Sequence, residues 1–191
     1  MNNTIRTFIA IPLDPKIRQT IAQAQNHLRE LDCNIKWVNP ENIHLTLKFL
    51  GEVKLKKIDA VKQSLEDLLG SVKPLPIELT QLGAFPDVKR PRIIWVGLND
   101  DTKAISQLVS ALEETLEKIG FKKEGRPFSP HITIGRIQSL KNLNLLSPEI
   151  SGYSLPPDLR QTISHITLYK STLTSDGPIY DALKISHFSN A

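Results

Sequence analysis

Two short segments of this chain combine a histidine and a threonine at the same spacing. They are His44-Leu-Thr46 and, about ninety residues later, His131-Ile-Thr133. Each lies in aliphatic sequence typical of a β-strand, over residues 42–51 and 129–136. Because successive side chains of a strand point to opposite faces, the histidine and threonine of each segment share one face of a sheet. Two such strands beside one another would suit the handling of a phosphate group.

A cleft lined by both histidines could carry out in-line phosphodiester chemistry. One imidazole would take a proton from the attacking oxygen and the other would give one to the leaving oxygen, roles that suit a pKa of about 6.5. Thr46 and Thr133 would donate hydrogen bonds to the non-bridging phosphate oxygens, and Arg136 would add a fixed positive charge. This chemistry requires neither a metal nor a cofactor, so we expect none.

Further candidates lie near these motifs. Lys48 shares strand parity with His44 and Thr46, so it is a candidate to point into the same cleft and bind substrate, with a position beyond the phosphate's reach as the alternative. Phe8 is a candidate for stacking on a nucleobase if its ring reaches the cleft, whereas Trp37 and Trp95 are expected to serve in packing. The basic loop over residues 121–126 is expected to be solvated, with substrate contact as the alternative.

The elements that must position these residues follow from hydrophobic periodicity. Apolar residues at helical spacing predict helices over about 15–31, 55–70 and 101–120, with Asp14 and either Asp100 or Asp101 as caps. Gly70 and Gly120 are predicted to end the second and third helices. A short helix is also expected near residues 140–146. Strands are predicted over about 7–13, 42–51, 75–82, 92–98, 129–136, 164–171 and 180–185.

The order of these elements repeats. A strand, a long helix, a histidine strand, a second helix and a third strand occur once over about residues 5–90 and again over 91–187. We therefore predict one α+β domain, residues 1–191, with two duplicated lobes, antiparallel sheets flanking a central cleft and helices outside. His165-Ile-Thr167 matches the motif a third time, but the repeat places it opposite Pro76 and not opposite His44. His165 is accordingly interpreted as structural.

Composition narrows the class of protein. A single cysteine, Cys33, excludes an intramolecular disulfide, and no apolar run approaches membrane-spanning length. Without a recognisable export signal, we expect a cytoplasmic protein without a membrane partner, acting as a monomer. The net charge of +4 fits a polyanionic ligand, although many proteins with such a charge bind none.

Six segments, in their order and spacing, carry a family resemblance over nearly the whole chain: Phe8-Ile-Ala-Ile11, residues 37–51, Pro91-Arg-Ile-Ile-Trp95, residues 128–136, Leu168-Tyr-Lys-Ser171 and Gly177-Pro-Ile-Tyr180. Together they closely resemble the bacterial and archaeal RNA 2′,3′-cyclic phosphodiesterases, also called 2′-5′ RNA ligases, of the two-histidine phosphoesterase superfamily.

The resemblance implies a bilobal α+β fold with two antiparallel sheets around a cleft. It also implies metal-free, ATP-independent hydrolysis of a terminal 2′,3′-cyclic phosphate on RNA, tRNA fragments among the substrates, to a 2′-phosphate. Ligation through a 2′-5′ linkage would be the reverse reaction. His44 would be the proton donor to the leaving 3′-oxygen and His131 the proton acceptor, with Thr46, Thr133 and Arg136 holding the phosphate.

Two alternatives remain open at the level of sequence. The same fold could be a nucleotide or RNA binding module without turnover, although a binder has no need of two proton-transfer groups. A metal-dependent phosphohydrolase is the other alternative, and it is disfavoured because neither histidine has a carboxylate at metal-ligand spacing.

Overall fold

The computed structural model describes residues 3–189. The strands are β1 (Thr4–Pro12), β2 (Ile35–Trp37), β3 (His44–Lys54), β4 (Leu75–Phe85), β5 (Ile93–Asn99), β6 (His131–Ile137), β7 (Arg160–Ile163), β8 (His165–Thr174) and β9 (Gly177–His187). The helices are α1 (Pro15–Arg29), α2 (Leu55–Leu69), α3 (Ala104–Lys118) and α4 (Leu143–Gly152), with one 3₁₀ turn at Pro40–Asn42.

The first three helices form where the periodicity predicts them, because each buries an apolar stripe against a sheet. Their caps differ in detail from the prediction. Asp14 occupies the N-cap of α1, but its side chain accepts no hydrogen bond there. At α3 the N-cap is Lys103, yet the carboxylate of Asp100 still accepts bonds from the amides of Ile105 and Ser106.

All strands pair antiparallel, in two sheets. Sheet A has the order β3-β1-β8-β9, and sheet B has the order β2-β6-β5-β4-β7. The predicted α+β class with two antiparallel sheets is confirmed. The strands β2 and β7 were not predicted, since three and four residues carry too little periodicity, and α4 begins and ends later than expected.

Each sheet takes elements from both halves of the chain. Strand β4 of the first half pairs with β5 of the second half in sheet B. Strand β8 of the second half pairs with β1 of the first half in sheet A. The long helices cross over as well, because α1 packs against β6 and α3 packs against β3. The two halves are therefore interleaved, and neither half forms a lobe by itself.

A continuous apolar core lies between the sheets and these helices, and it includes Ile9, Leu45, Leu65, Ile94 and Leu112, all fully buried. Within residues 3–189 no helix is long and apolar enough to cross a membrane.

Candidate active site

The two histidine strands meet at the junction of the sheets. Strands β3 and β6 pack against one another, and the side chains of His44, Thr46, His131 and Thr133 all line one cleft of about 1800 Å³. The cleft thus brings together the four residues whose spacing predicted the site. Arg136 lines the same cleft from β6 and is exposed.

Both imidazoles are held in the same way. The Nδ1 atom of His44 lies 2.7 Å from the carbonyl oxygen of Asn42, and the Nδ1 atom of His131 lies 2.7 Å from the carbonyl oxygen of Ser129. A carbonyl can only accept, so Nδ1 carries the proton in each ring. The Nε2 atom of each histidine is therefore the one left to exchange protons with a ligand in the cleft.

Aromatic side chains surround His44. Phe8 stacks on the imidazole with ring centroids 4.9 Å apart, and Tyr180 meets it edge-on at 5.4 Å. Tyr169 packs on Phe8 with ring centroids 5.3 Å apart and lies 6.4 Å from the His44 ring. This burial lowers the pKa of His44, and the bond to Asn42 opposes the shift only in part. His44 is thus neutral over more of the physiological pH range than an exposed histidine.

His131 has less aromatic contact. Phe85, at the end of β4, meets its ring edge-on with centroids 4.9 Å apart. Directly opposite His131 on β5 is Gly97, which leaves the histidine without a cross-strand side chain. The two imidazoles therefore share a tautomer but differ in their surroundings.

Each histidine strand contains a β-bulge at the same place. Leu47 has no partner between the pairs formed by Thr46 and Lys48, and Ile134 has none between those formed by Thr133 and Gly135. A bulge inserts one residue and so reverses the alternation of faces beyond it. The cleft face that carries His131 and Thr133 consequently continues with Arg136.

The corresponding bulge on β3 changes the strand parity on which the prediction for Lys48 was based. Beyond Leu47 it is Phe49 that continues the face of His44 and Thr46, while Lys48 is buried at the border of the cleft. The Lys48 ammonium is buried 2.5 Å from the carboxylate of Glu113 on α3, and it also donates to the carbonyl of Lys122 at 3.0 Å. These contacts favour a structural role for Lys48, and its predicted contact with the phosphate stays a prediction.

Phe8 reaches the site but presents no free face. Phe8 is only 3% exposed and its ring contacts those of His44, Tyr169 and Tyr180, so it supports the imidazole and is not placed to stack on a nucleobase. The exposed aromatic side chain of the cleft is Phe49, which is 59% exposed and lies at the position of β3 that matches Arg136 on β6. Sequence reasoning missed Phe49 because regular alternation places it on the other face.

Gln25 was also missed. It is 1% exposed on α1, and its Nε2 donates to the carbonyl oxygens of Val38 and Ile134 at 2.8 and 2.9 Å. The helix of the first half thereby holds the bulge of the second half. The available signal was an amide next to the apolar stripe of an otherwise amphipathic helix.

The remaining candidates lie outside the catalytic centre. His165 pairs with His187 across β8 and β9 with ring centroids 5.4 Å apart, and neither residue lines the cleft. The Trp95 indole covers Gly83, where a Cβ atom would lie 2.2 Å from the ring. The basic loop does contribute to the cleft, through Lys123 and Arg126. Among residues 3–189 no group of three or more histidine, cysteine or acidic side chains is placed to hold a metal ion.

The fold and paired histidines define a phosphoesterase site, and comparisons with known proteins agree. A family model described as LigT-like phosphoesterase matches twice, over residues 11–95 and 96–180. The chain is 37% identical to the RNA 2′,3′-cyclic phosphodiesterase of Methanocaldococcus jannaschii over 94% of this chain and 99% of that protein. It is 34% identical to the protein of the same name from Aquifex aeolicus, covering 94% and 95% of the two chains. The chain belongs to the LigT-like phosphoesterase family.

Solved structures show the same architecture. The apo form of Escherichia coli LigT superimposes with a TM-score of 0.82 at 25% identity, covering 98% of this chain and 99% of that one. The complex of the same protein with 3′-AMP gives a TM-score of 0.81 at 24% identity, with the same coverage. The arrangement of sheets and helices described above is therefore that of known members of the family.

Proposed function

We propose that this protein hydrolyses the terminal 2′,3′-cyclic phosphate of RNA to leave a 2′-phosphate. The observation that carries the proposal is the pair of imidazoles in one cleft, each with Nδ1 bound to a backbone carbonyl and Nε2 available for proton transfer. The names of the curated relatives in Methanocaldococcus jannaschii and Aquifex aeolicus support this choice among phosphoester substrates.

In the proposed reaction a water molecule attacks phosphorus and the bond from phosphorus to the 3′-oxygen breaks. His131 accepts the proton of the water, and His44 donates a proton to the departing 3′-oxygen. Burial among aromatic rings lowers the pKa of His44, so its protonated form is a stronger acid than an exposed imidazolium. Thr46, Thr133 and Arg136 hold the non-bridging oxygens as negative charge accumulates.

The reverse reaction would join a 5′-hydroxyl to the cyclic phosphate through a 2′-5′ linkage without ATP. The two histidines then exchange roles, because the proton given in one direction is the proton taken in the other. The shared tautomer of the rings is compatible with both directions.

Incubation of the purified protein with an oligoribonucleotide ending in a cyclic phosphate, with and without EDTA, tests the proposal. We expect 2′-phosphate product at the same rate under both conditions, and turnover reduced at least about a thousandfold in His44→Ala and in His131→Ala. His165→Ala is the matched control, since this histidine lies outside the cleft. Loss of activity with EDTA would indicate a metal-dependent phosphohydrolase, and binding without any turnover would indicate a binding module.

A further inference from the structure

One wall of the cleft carries, beside Arg136, two positive charges that the proposed reaction does not use, those of Lys36 and Arg92. On sheet B, Lys36 of the short strand β2 lies directly opposite Arg136 of β6, and residues paired in this way point to the same face. Arg92, just before β5, also lines the cleft. The backbone of Arg92 is bonded to both Phe85 and Ile137, which fixes it beside the end of β6 that carries Arg136.

These three cations are not neutralised by the protein. Within residues 3–189, none of Lys36, Arg92 and Arg136 forms an ion pair, and all three side chains are exposed. Like charges directly opposite one another on neighbouring strands repel. Anionic groups bound at this wall reduce that repulsion, so the wall favours phosphate groups.

Acidic residues of the cleft lie elsewhere. Glu113 is bound to Lys48, and the remaining acidic side chains that line the cleft belong to α3, the loop after it and the turn between β8 and β9: Glu114, Glu124 and Asp176. Sheet B thus forms a cationic wall next to the catalytic histidines. The opposite wall, on sheet A, carries the aromatic side chains of Phe49 and Tyr180.

In the proposed reaction Arg136 lies next to the reacting phosphate. Lys36 lies on the neighbouring strand, and the backbones of two paired strands are about 4.8 Å apart. A cyclic phosphate is the 3′ end of its strand, so every other phosphate of the same RNA lies on its 5′ side. We propose that Lys36 and Arg92 bind the phosphodiester preceding the cyclic end, so that these two residues strengthen binding of an oligoribonucleotide and not of a cyclic mononucleotide. This inference rests on the proposed function.

The test compares kcat/KM for two substrates, adenosine 2′,3′-cyclic phosphate and an oligoadenylate of about eight nucleotides with a cyclic end, over a series of salt concentrations. The variants are Lys36→Gln and Lys36→Gln/Arg92→Gln. Lys56→Gln is the matched control, because Lys56 is exposed on α2, forms no ion pair within residues 3–189 and does not line the cleft.

We expect the double variant to lower kcat/KM for the oligonucleotide by about tenfold or more at low salt, and by several times more than for the mononucleotide. Its slope of log kcat/KM against log salt should become shallower by about 0.7, the change for one phosphate of a single strand that the protein no longer neutralises. The Lys56→Gln control should match the wild type. Equal losses on both substrates, or a loss no greater than that of the control, would overturn the inference.

Failure of the proposed function would look different, since the wild-type protein would turn over neither substrate. Binding of a fluorescent octamer with a 2′-phosphate end, measured by anisotropy, then decides the inference. Weaker binding and a shallower salt dependence in the double variant, relative to Lys56→Gln, support the phosphate site. Identical binding curves for the double variant and the control refute it.

Discussion

Replacing Lys48 by methionine tests whether this lysine stabilises the fold or binds substrate. Its ammonium lies 2.5 Å from Glu113, and the two side chains are only 2% and 12% exposed. The Lys48→Met variant keeps the apolar stem but removes the charge. The Glu113 carboxylate is then left with the backbone amide of Glu124 at 3.3 Å, while its Oε1 already has no partner among the described residues.

The expected loss is large because an uncompensated charge stays buried. Removing one partner of a buried ion pair typically costs about 3–5 kcal/mol, and we expect a loss in free energy of unfolding in this range for Lys48→Met. Replacement of both partners, in Lys48→Met/Glu113→Leu, should recover most of it, because apolar side chains of similar volume are often neutral at such sites. Because each single variant leaves one buried charge unpaired and the double variant leaves none, we expect a coupling energy of at least about 3 kcal/mol between the two sites.

Urea unfolding of the wild type, both single variants and the double variant measures these energies. With an m value of about 2 kcal/mol/M, the Lys48→Met midpoint should fall by roughly 1.5–2.5 M. Lys56→Met, on the exposed face of α2, should change stability by less than about 0.5 kcal/mol. Unchanged stability together with a raised KM for cyclic-phosphate RNA would refute the reasoning, since Lys48 would then be contacting substrate.

Three further outcomes are expected. Phe49→Ala should leave stability unchanged but lower kcat/KM on RNA by about 5-fold to 100-fold, the range for removal of one base-stacking ring, and unaltered kinetics would exclude this role. Gln25→Met should lower stability by about 1–3 kcal/mol and also lower kcat through the bulge that directs Arg136, whereas full activity in the folded variant would show that the bulge persists without the amide. Because burial lowers the pKa of His44, the folded state binds fewer protons than the unfolded state once the pH drops below about 6.5. The free energy of unfolding therefore decreases as the pH decreases through this range. Urea titrations between pH 7 and pH 5 should show a shallower fall in His44→Gln, and an identical fall would contradict the shift.

The histidine motifs could be found from sequence because they repeat, and repetition at matching places is a stronger signal than local pattern. The alignment of the two repeats distinguished His165 from His44 although both match the local pattern, and the structure places His165 outside the cleft. The β-bulge in each histidine strand could not be predicted from hydrophobic periodicity. A strict alternation of faces puts Lys48 on the face of His44 and turns Arg136 away from His131. The unpaired Leu47 and Ile134 reverse the alternation, so Phe49 and Arg136 continue those faces instead.

The pairing of strands from different halves of the chain could not be predicted from the sequence either. Pairing of β1 with β8 joins residues far apart in the chain, and nothing local to Thr7 or Lys170 specifies that partner. Pairing instead depends on which buried faces remain uncovered once β3 and β9 are in place, and that is a property of the assembled sheet. Duplication of elements could therefore be read from the sequence, whereas the interleaving of the two halves could not.

Interleaving also explains how the catalytic strands are supported. Each long helix sends one polar side chain to the bulge of the other half, since Gln25 of α1 bonds the carbonyl of Ile134 and Glu113 of α3 binds Lys48 next to Leu47. A loosening of either helix would move the histidine strand of the opposite half. The two histidines are consequently held by the same set of contacts that joins the halves.

This near-symmetry raises the question of what orients a substrate between two similar imidazoles. The positions after the two bulges differ, because β3 presents the ring of Phe49 where β6 presents the guanidinium of Arg136. A nucleobase is favoured on the aromatic wall and phosphate oxygens on the cationic wall. Two histidines with the same tautomer can then take different roles, since only His44 lies among aromatic rings and only His131 shares its strand with Arg136.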